Sequence, residues 1–103
     1  MKSLMTVKMP TGPANDAARR GQLGERIKAI LAALKPEAAY FTTESGLRTA
    51  YLIVDLQDAA EIPKLAEPWF LEFEAEIDIR PVMTPEDLAR AEPDIAAAAK
   101  AYA

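Results

Sequence analysis

In Glu74-Ala75-Glu76-Ile77-Asp78-Ile79-Arg80, three acids and an arginine stand at every second position. Side chains two apart on a strand share a sheet face. In extended backbone Glu74, Glu76, Asp78 and Arg80 therefore line one face, and Phe73, Ala75, Ile77 and Ile79 the other. A row of this kind can do acid–base work, with Glu74 or Asp78 as general base. Same-face neighbours lie about 6.5–7 Å apart, too far to share a metal unless long side chains converge. Only hard cations such as Mg²⁺ or Ca²⁺ would suit an all-oxygen set, and no metal site is assigned. The plainer reading of the row is a solvated or salt-bridged face, with Lys8 as a cross-strand counter-ion.

Other residues could bind a ligand. Arg80 and Arg48 could clamp a carboxylate, although Arg80 could equally neutralise the acids before it, and Arg48 sits just after a hairpin. Tyr40 and Tyr51 could orient a small molecule, or could simply be half-buried rings with hydrogen-bonded hydroxyls. The ligand-binding candidates are Tyr40, Tyr51 and Arg80. Trp69 and Phe70 have helical spacing and read as core.

Much chemistry is excluded by composition. The chain has no cysteine and no histidine. Disulfides, thiolate nucleophiles, zinc–thiolate sites and iron–sulfur clusters are out of reach, as are an imidazole base, a Ser-His-Asp triad and histidine-ligated haem. Ser45 and Thr43 have no base to activate them. No cofactor is called for. The net charge of −4, without a basic run, lacks the footprint of a nucleic-acid binder. No apolar run approaches the roughly 20 residues that span a bilayer, and the first residues lack a signal-peptide core. The expectation is a cytoplasmic protein with no nucleic-acid or membrane partner.

The 103 residues, half of them hydrophobic, suit a single domain over 1–103 with one modest core. Residues 3–9 read as a strand and Pro10-Thr11-Gly12-Pro13 as a loop. Leu23, Ile27, Ile30, Leu31 and Leu34 form the apolar stripe of a helix that Pro36 ends. Strands follow over 38–43 and 48–56, joined by Glu44-Ser45-Gly46. Asp58 and Glu61 have capping-box spacing and open a second helix. Its buried face would be Ile62, Leu65, Ala66, Trp69 and Phe70, with Pro63 and Pro68 making it irregular. The alternating segment is the fourth strand. Thr84-Pro85-Glu86-Asp87 starts a last helix, which Pro93 is expected to break. The order βαββαβ plus a C-terminal helix predicts an α+β, ferredoxin-like domain, with a four-stranded antiparallel sheet and helices on one face.

One sheet face is then left open. It would carry Leu4, Tyr40, Tyr51 and Ile53 beside Thr6, Lys8, Asp55 and the strand-four charges. Burying each large apolar side chain is worth about 1.5–3 kcal/mol, so this face calls for cover. A second copy is the economical cover, which predicts a homodimer through the sheet face.

This topology resembles the dimeric α+β barrel superfamily, which includes antibiotic-biosynthesis monooxygenases, muconolactone isomerases and EthD-like proteins. A narrower likeness covers Leu34-Lys35-Pro36-Glu37-Ala38-Ala39-Tyr40-Phe41, Ala66-Glu67-Pro68-Trp69-Phe70 and Arg80-Pro81-Val82-Met83-Thr84-Pro85-Glu86-Asp87-Leu88. There the chain is similar to a small bacterial family catalogued as a domain of unknown function. The resemblance implies a dimeric α+β barrel and assigns no activity. The missing histidine counts against haem degradation and histidine-assisted oxygenation.

The functional expectation is a protein that binds a small organic molecule inside the barrel. Two alternatives stand beside it. One is a cofactor-independent monooxygenase or isomerase, with Tyr40, Tyr51 and Arg80 positioning substrate for Glu74 or Asp78. The other is a structural or interaction module with no ligand.

Overall fold

The computed structural model describes residues 1–103. Its elements are β1 (Lys2–Met9), α1 (Thr11–Arg19), α2 (Leu23–Leu34), β2 (Ala38–Glu44), β3 (Leu47–Asp55), α3 (Ile62–Phe73), β4 (Glu76–Pro81) and α4 (Pro85–Ala101). The sheet order is β2-β3-β1-β4 and every neighbouring pair is antiparallel. This is the expected ferredoxin-like α+β arrangement.

Period-two alternation divides the central strands as their sequence requires. Met5, Val7 and Met9 of β1 and Ala50, Leu52 and Val54 of β3 are buried, and they pack with Ile30 of α2 and Leu65, Trp69 and Phe73 of α3. The α2 stripe behaves as its spacing predicts, since Leu23, Ile27, Leu31 and Leu34 pack against this core around Ile30. Trp69 and Phe73 sit one helical turn apart with ring centroids separated by 6.3 Å, in a tilted arrangement within the range of aromatic contact.

Helix starts follow local chemistry. Asp58 accepts from the Ala60 N–H, and Glu61 accepts from the Asp58 N–H, capping a 3₁₀ turn that leads into α3. Thr84 and Asp87 make the same reciprocal pair at α4.

Four expectations need correction. Pro10-Thr11-Gly12-Pro13 is not a loop, because α1 begins at Thr11. The first N–H groups of a helix have no intrahelical partner, so Pro13 is tolerated there. Ala14 and Ala17 then fall on the buried face. Second, the segment from Phe73 to Ala75 is not strand. Phe73 ends α3, and Glu74 is its C-cap in left-handed backbone, φ 53°. The Glu74 N–H donates to the Phe70 carbonyl at 2.8 Å and closes the last turn. Third, the buried face of α3 is Leu65, Ala66, Trp69 and Phe73, while Ile62 and Phe70 remain substantially exposed.

The fourth correction concerns Pro93. Helix α4 does not break there but continues to Ala101, while α3 runs from Ile62 to Phe73 with Pro68 inside it. A proline at 93 removes the bond to the Ala89 carbonyl. Both residues lie on an exposed turn, where water can take that role. Helix α4 buries none of its residues, and it stretches the molecule to 59 × 27 × 21 Å.

The hairpin between β2 and β3 turns on Ser45 (φ 53°) and Gly46 (φ 80°). Two consecutive left-handed residues make the tight turn whose twist suits a hairpin. Glu44 is therefore the last residue of β2 rather than part of the turn.

Candidate functional site

Strand register sets out the open face. Thr6 of β1 is opposite Tyr51 of β3 on one side and Asp78 of β4 on the other. Lys8 is opposite Glu76, Leu4 is opposite both Ile53 and Arg80, and Tyr40 is opposite Tyr51. No helix covers this face. A cavity of about 270 Å³ lies on it, lined by Thr6 and Lys8 of β1, Glu44 of β2, Tyr51 of β3, and Glu76, Ile77, Asp78 and Arg80 of β4.

Two ion pairs frame the cavity. Lys8 Nζ is 2.9 Å from a Glu44 carboxylate oxygen. Arg80 Nη2 is 2.9 Å from Asp78 Oδ2. The Tyr51 hydroxyl donates to the other carboxylate oxygen of Glu44. That hydrogen bond, followed by the one from Lys8, holds Glu44 below the usual carboxylate range. The same contacts act in reverse on the partners: the bond to Glu44 raises both Tyr51 and Lys8. At neutral pH the trio is a protonated phenol, a carboxylate and an ammonium.

Thr6 lies at the floor. Its Oγ1 is buried and has no hydrogen-bond partner. A buried hydroxyl in this state retains unspent donor and acceptor capacity.

The candidates distribute as follows. Tyr51, Asp78 and Arg80 line the cavity together. Tyr40 shares the face beside Tyr51 but does not line the cavity, and its side chain is largely exposed. Glu74 is excluded, because it caps α3 and never enters β4. Asp55 lies on the same face but at its far end, opposite Lys2, where it accepts from Gln57 and from the Met1 amino group. Arg48 faces the helix layer and donates to Asn15 Oδ1 of α1 at 2.8 Å, so it ties β3 to α1. Glu44 is absent from the candidates read from sequence because Glu44-Ser45-Gly46 reads as a turn. Ser-Gly is itself a turn dipeptide, and a turn confined to those two residues leaves Glu44 to the strand.

A second, larger cavity of about 390 Å³ runs between α3 and β4 on the helix side. Ile62, Pro63, Ala66, Phe70, Ile77 and Ile79 line it with Glu67 as the one charged group. It has apolar surface but no set of groups that could act on a substrate. No helix of the chain is long and apolar enough to cross a membrane.

Comparison with solved structures finds a similar fold in 5-chloro-2-hydroxyhydroquinone dehydrochlorinase (TftG) from Burkholderia phenoliruptrix, in complex with 2,5-dihydroxybenzoquinone. The TM-score is 0.61 at 16% identity, over 84% of this chain and 97% of that one. At that identity the likeness establishes the fold alone. No curated protein matches the sequence. A family model does match, across residues 1–96, and the chain accordingly belongs to the family described as Domain of unknown function (DUF3303).

Proposed function

We propose that this chain binds a small organic molecule on the open face of its sheet, and that two copies close their sheets over it as a dimeric α+β barrel. The observation that carries this reading is the cavity of about 270 Å³ framed by Lys8–Glu44 and Arg80–Asp78. A face meant only as a packing seam would fill with interdigitating apolar side chains. In the protomer the ion pairs stand around a hollow. The half-buried Leu4 and Ile53, opposite one another, and the exposed Tyr40 give the rest of the face an apolar character that favours a second copy. The similar dehydrochlorinase fold, with a one-ring quinone bound to that protein, supports a ligand of that size.

The catalytic alternative, a cofactor-independent monooxygenase or isomerase, has less support. Of its two proposed bases, Glu74 is outside the cavity and Asp78 is already engaged by Arg80. Glu44 is held low by Tyr51 and Lys8, the opposite of what a general base working near neutrality needs.

Native mass spectrometry of the purified chain tests both halves of the proposal. A dimer carrying extra mass supports it. A monomer removes the barrel, and a dimer that takes up no small molecule from a broad aromatic and amine panel removes the ligand.

A further inference from the structure

We propose that the cavity selects a ligand bearing a protonated amine on a one-ring body, with the ammonium on Glu76 and a polar group of the ligand on Thr6. This rests on the reading that the open face binds a small molecule, and it names the class.

The first observation is Thr6. The residue is only 6% exposed, it lines the cavity, and its Oγ1 has no partner. Its cross-strand neighbours Tyr51 and Asp78 are both engaged elsewhere, Tyr51 with Glu44 and Asp78 with Arg80. No group of the protomer lies within hydrogen-bond distance of this hydroxyl, and a ligand polar group that parts the side chains over it would satisfy it.

The second observation is the charge balance. Glu44, Glu76 and Asp78 bring three carboxylates to the cavity, against the two cations Lys8 and Arg80. Lys8 pairs with Glu44 and Arg80 with Asp78, which leaves Glu76 as the carboxylate without an ion pair. Lys8 is also the cross-strand neighbour of Glu76. Should Lys8 turn to it, Glu44 would be the one released, so one carboxylate is surplus in either arrangement. An anionic ligand would have to break an existing pair. A cationic one completes the set through charge-assisted hydrogen bonds.

The third observation is size. At about 270 Å³ the cavity lies just below the usual range of small-molecule pockets, about 300–1,000 Å³. The Tyr51 ring supplies its apolar wall. A single ring with a short side chain is the matching shape.

The test uses three probes with one body: tyramine, 4-ethylphenol and 4-hydroxyphenylacetate, titrated into the full chain by calorimetry. Tyramine is expected to bind at least tenfold more tightly than the acid, with the neutral phenol between them. Glu76→Gln should reduce tyramine to the level of the neutral phenol, and Thr6→Val should weaken both. Thermal melts of each variant check that it is folded. Tighter binding of the acid would overturn the amine assignment while leaving the small-molecule reading intact. So would an undiminished preference for tyramine in Glu76→Gln. No binding of any of the three probes would overturn the amine class, and a clean dimer by native mass spectrometry with no uptake from the wider panel would separately remove the small-molecule reading.

Discussion

The Tyr51 hydroxyl donates to Glu44, a residue from the neighbouring strand, and so reaches along the open face toward the hairpin end of the sheet. This bond lets a tyrosine from the middle of β3 and an acid from the end of β2 act as one unit with Lys8 of β1. It also orders their titration, with Glu44 moved down and Tyr51 and Lys8 moved up.

Replacing Tyr51 with Phe removes the largest influence on Glu44. The Glu44 carboxyl should then titrate at higher pH than in the parent, though still influenced by Lys8. A ¹³C NMR titration of the side-chain carboxyls checks this. An unmoved Glu44 would mean that the hydrogen bond is not populated in solution.

The pH dependence of stability should have two edges. Glu44, Asp55 and Asp87 are lowered in the fold, Glu44 first by Tyr51, Asp55 first by the Met1 amino group, and Asp87 first by the Thr84 backbone N–H. A depressed acid adds stability above its unfolded value, about 4, and loses it as pH falls through the folded value. Tyr51, Lys8 and Lys2 are raised, Lys2 chiefly by its bond to Glu37. Their contribution is complete below their unfolded values, about 10, and is lost as pH rises through the folded ones. With no histidine in the chain, stability should be flat from about pH 5 to 7. Urea melts at stepped pH measure the profile, and a transition near pH 6 would contradict it.

Glu74→Gly separates a helix cap from a strand residue. In left-handed backbone at φ 53°, glycine should be neutral or stabilising by about 1 kcal/mol. Glycine inside a strand would destabilise instead. Phe73→Ala, by contrast, opens the core beside Trp69 and should cost about 3–5 kcal/mol. Chemical denaturation of the two variants reads both effects.

Ile53→Arg places a charge in the apolar part of the open face, opposite Leu4 and Ala38. The variant should keep the parent's circular dichroism and run as a monomer in light scattering after gel filtration. A dimer that survives this substitution must be built on another surface.

Where sequence reading succeeded and failed has a physical pattern. β1, β3 and α2 were legible because each shows one unambiguous period, and Asp58 and Thr84 were legible because a cap is a local device. Phe73 misled because it fits two periods at once. It is spaced from Ile77 and Ile79 as on a strand, and from Leu65 and Trp69 as on a helix. The cap at Glu74 decides between them, and a non-glycine residue in left-handed backbone leaves no mark in composition. Of the candidate site, Tyr51, Asp78 and Arg80 came together in one cavity because register follows from alternation. The orphaned state of Thr6 and the role of Glu44 depend on which side chains reach one another across strands, which spacing within one strand does not contain.

The single tryptophan is wholly enclosed between helix and sheet, whereas the three tyrosines all lie outside that core, two on the open face and Tyr102 at the far end of α4. The protein thus has two separate optical reporters. Indole emission follows the integrity of the interior. Phenol absorbance near 290 nm, by contrast, follows ionisation at Tyr51 and its neighbours. Unfolding of the interior and ionisation on the sheet can therefore be followed separately, without a label.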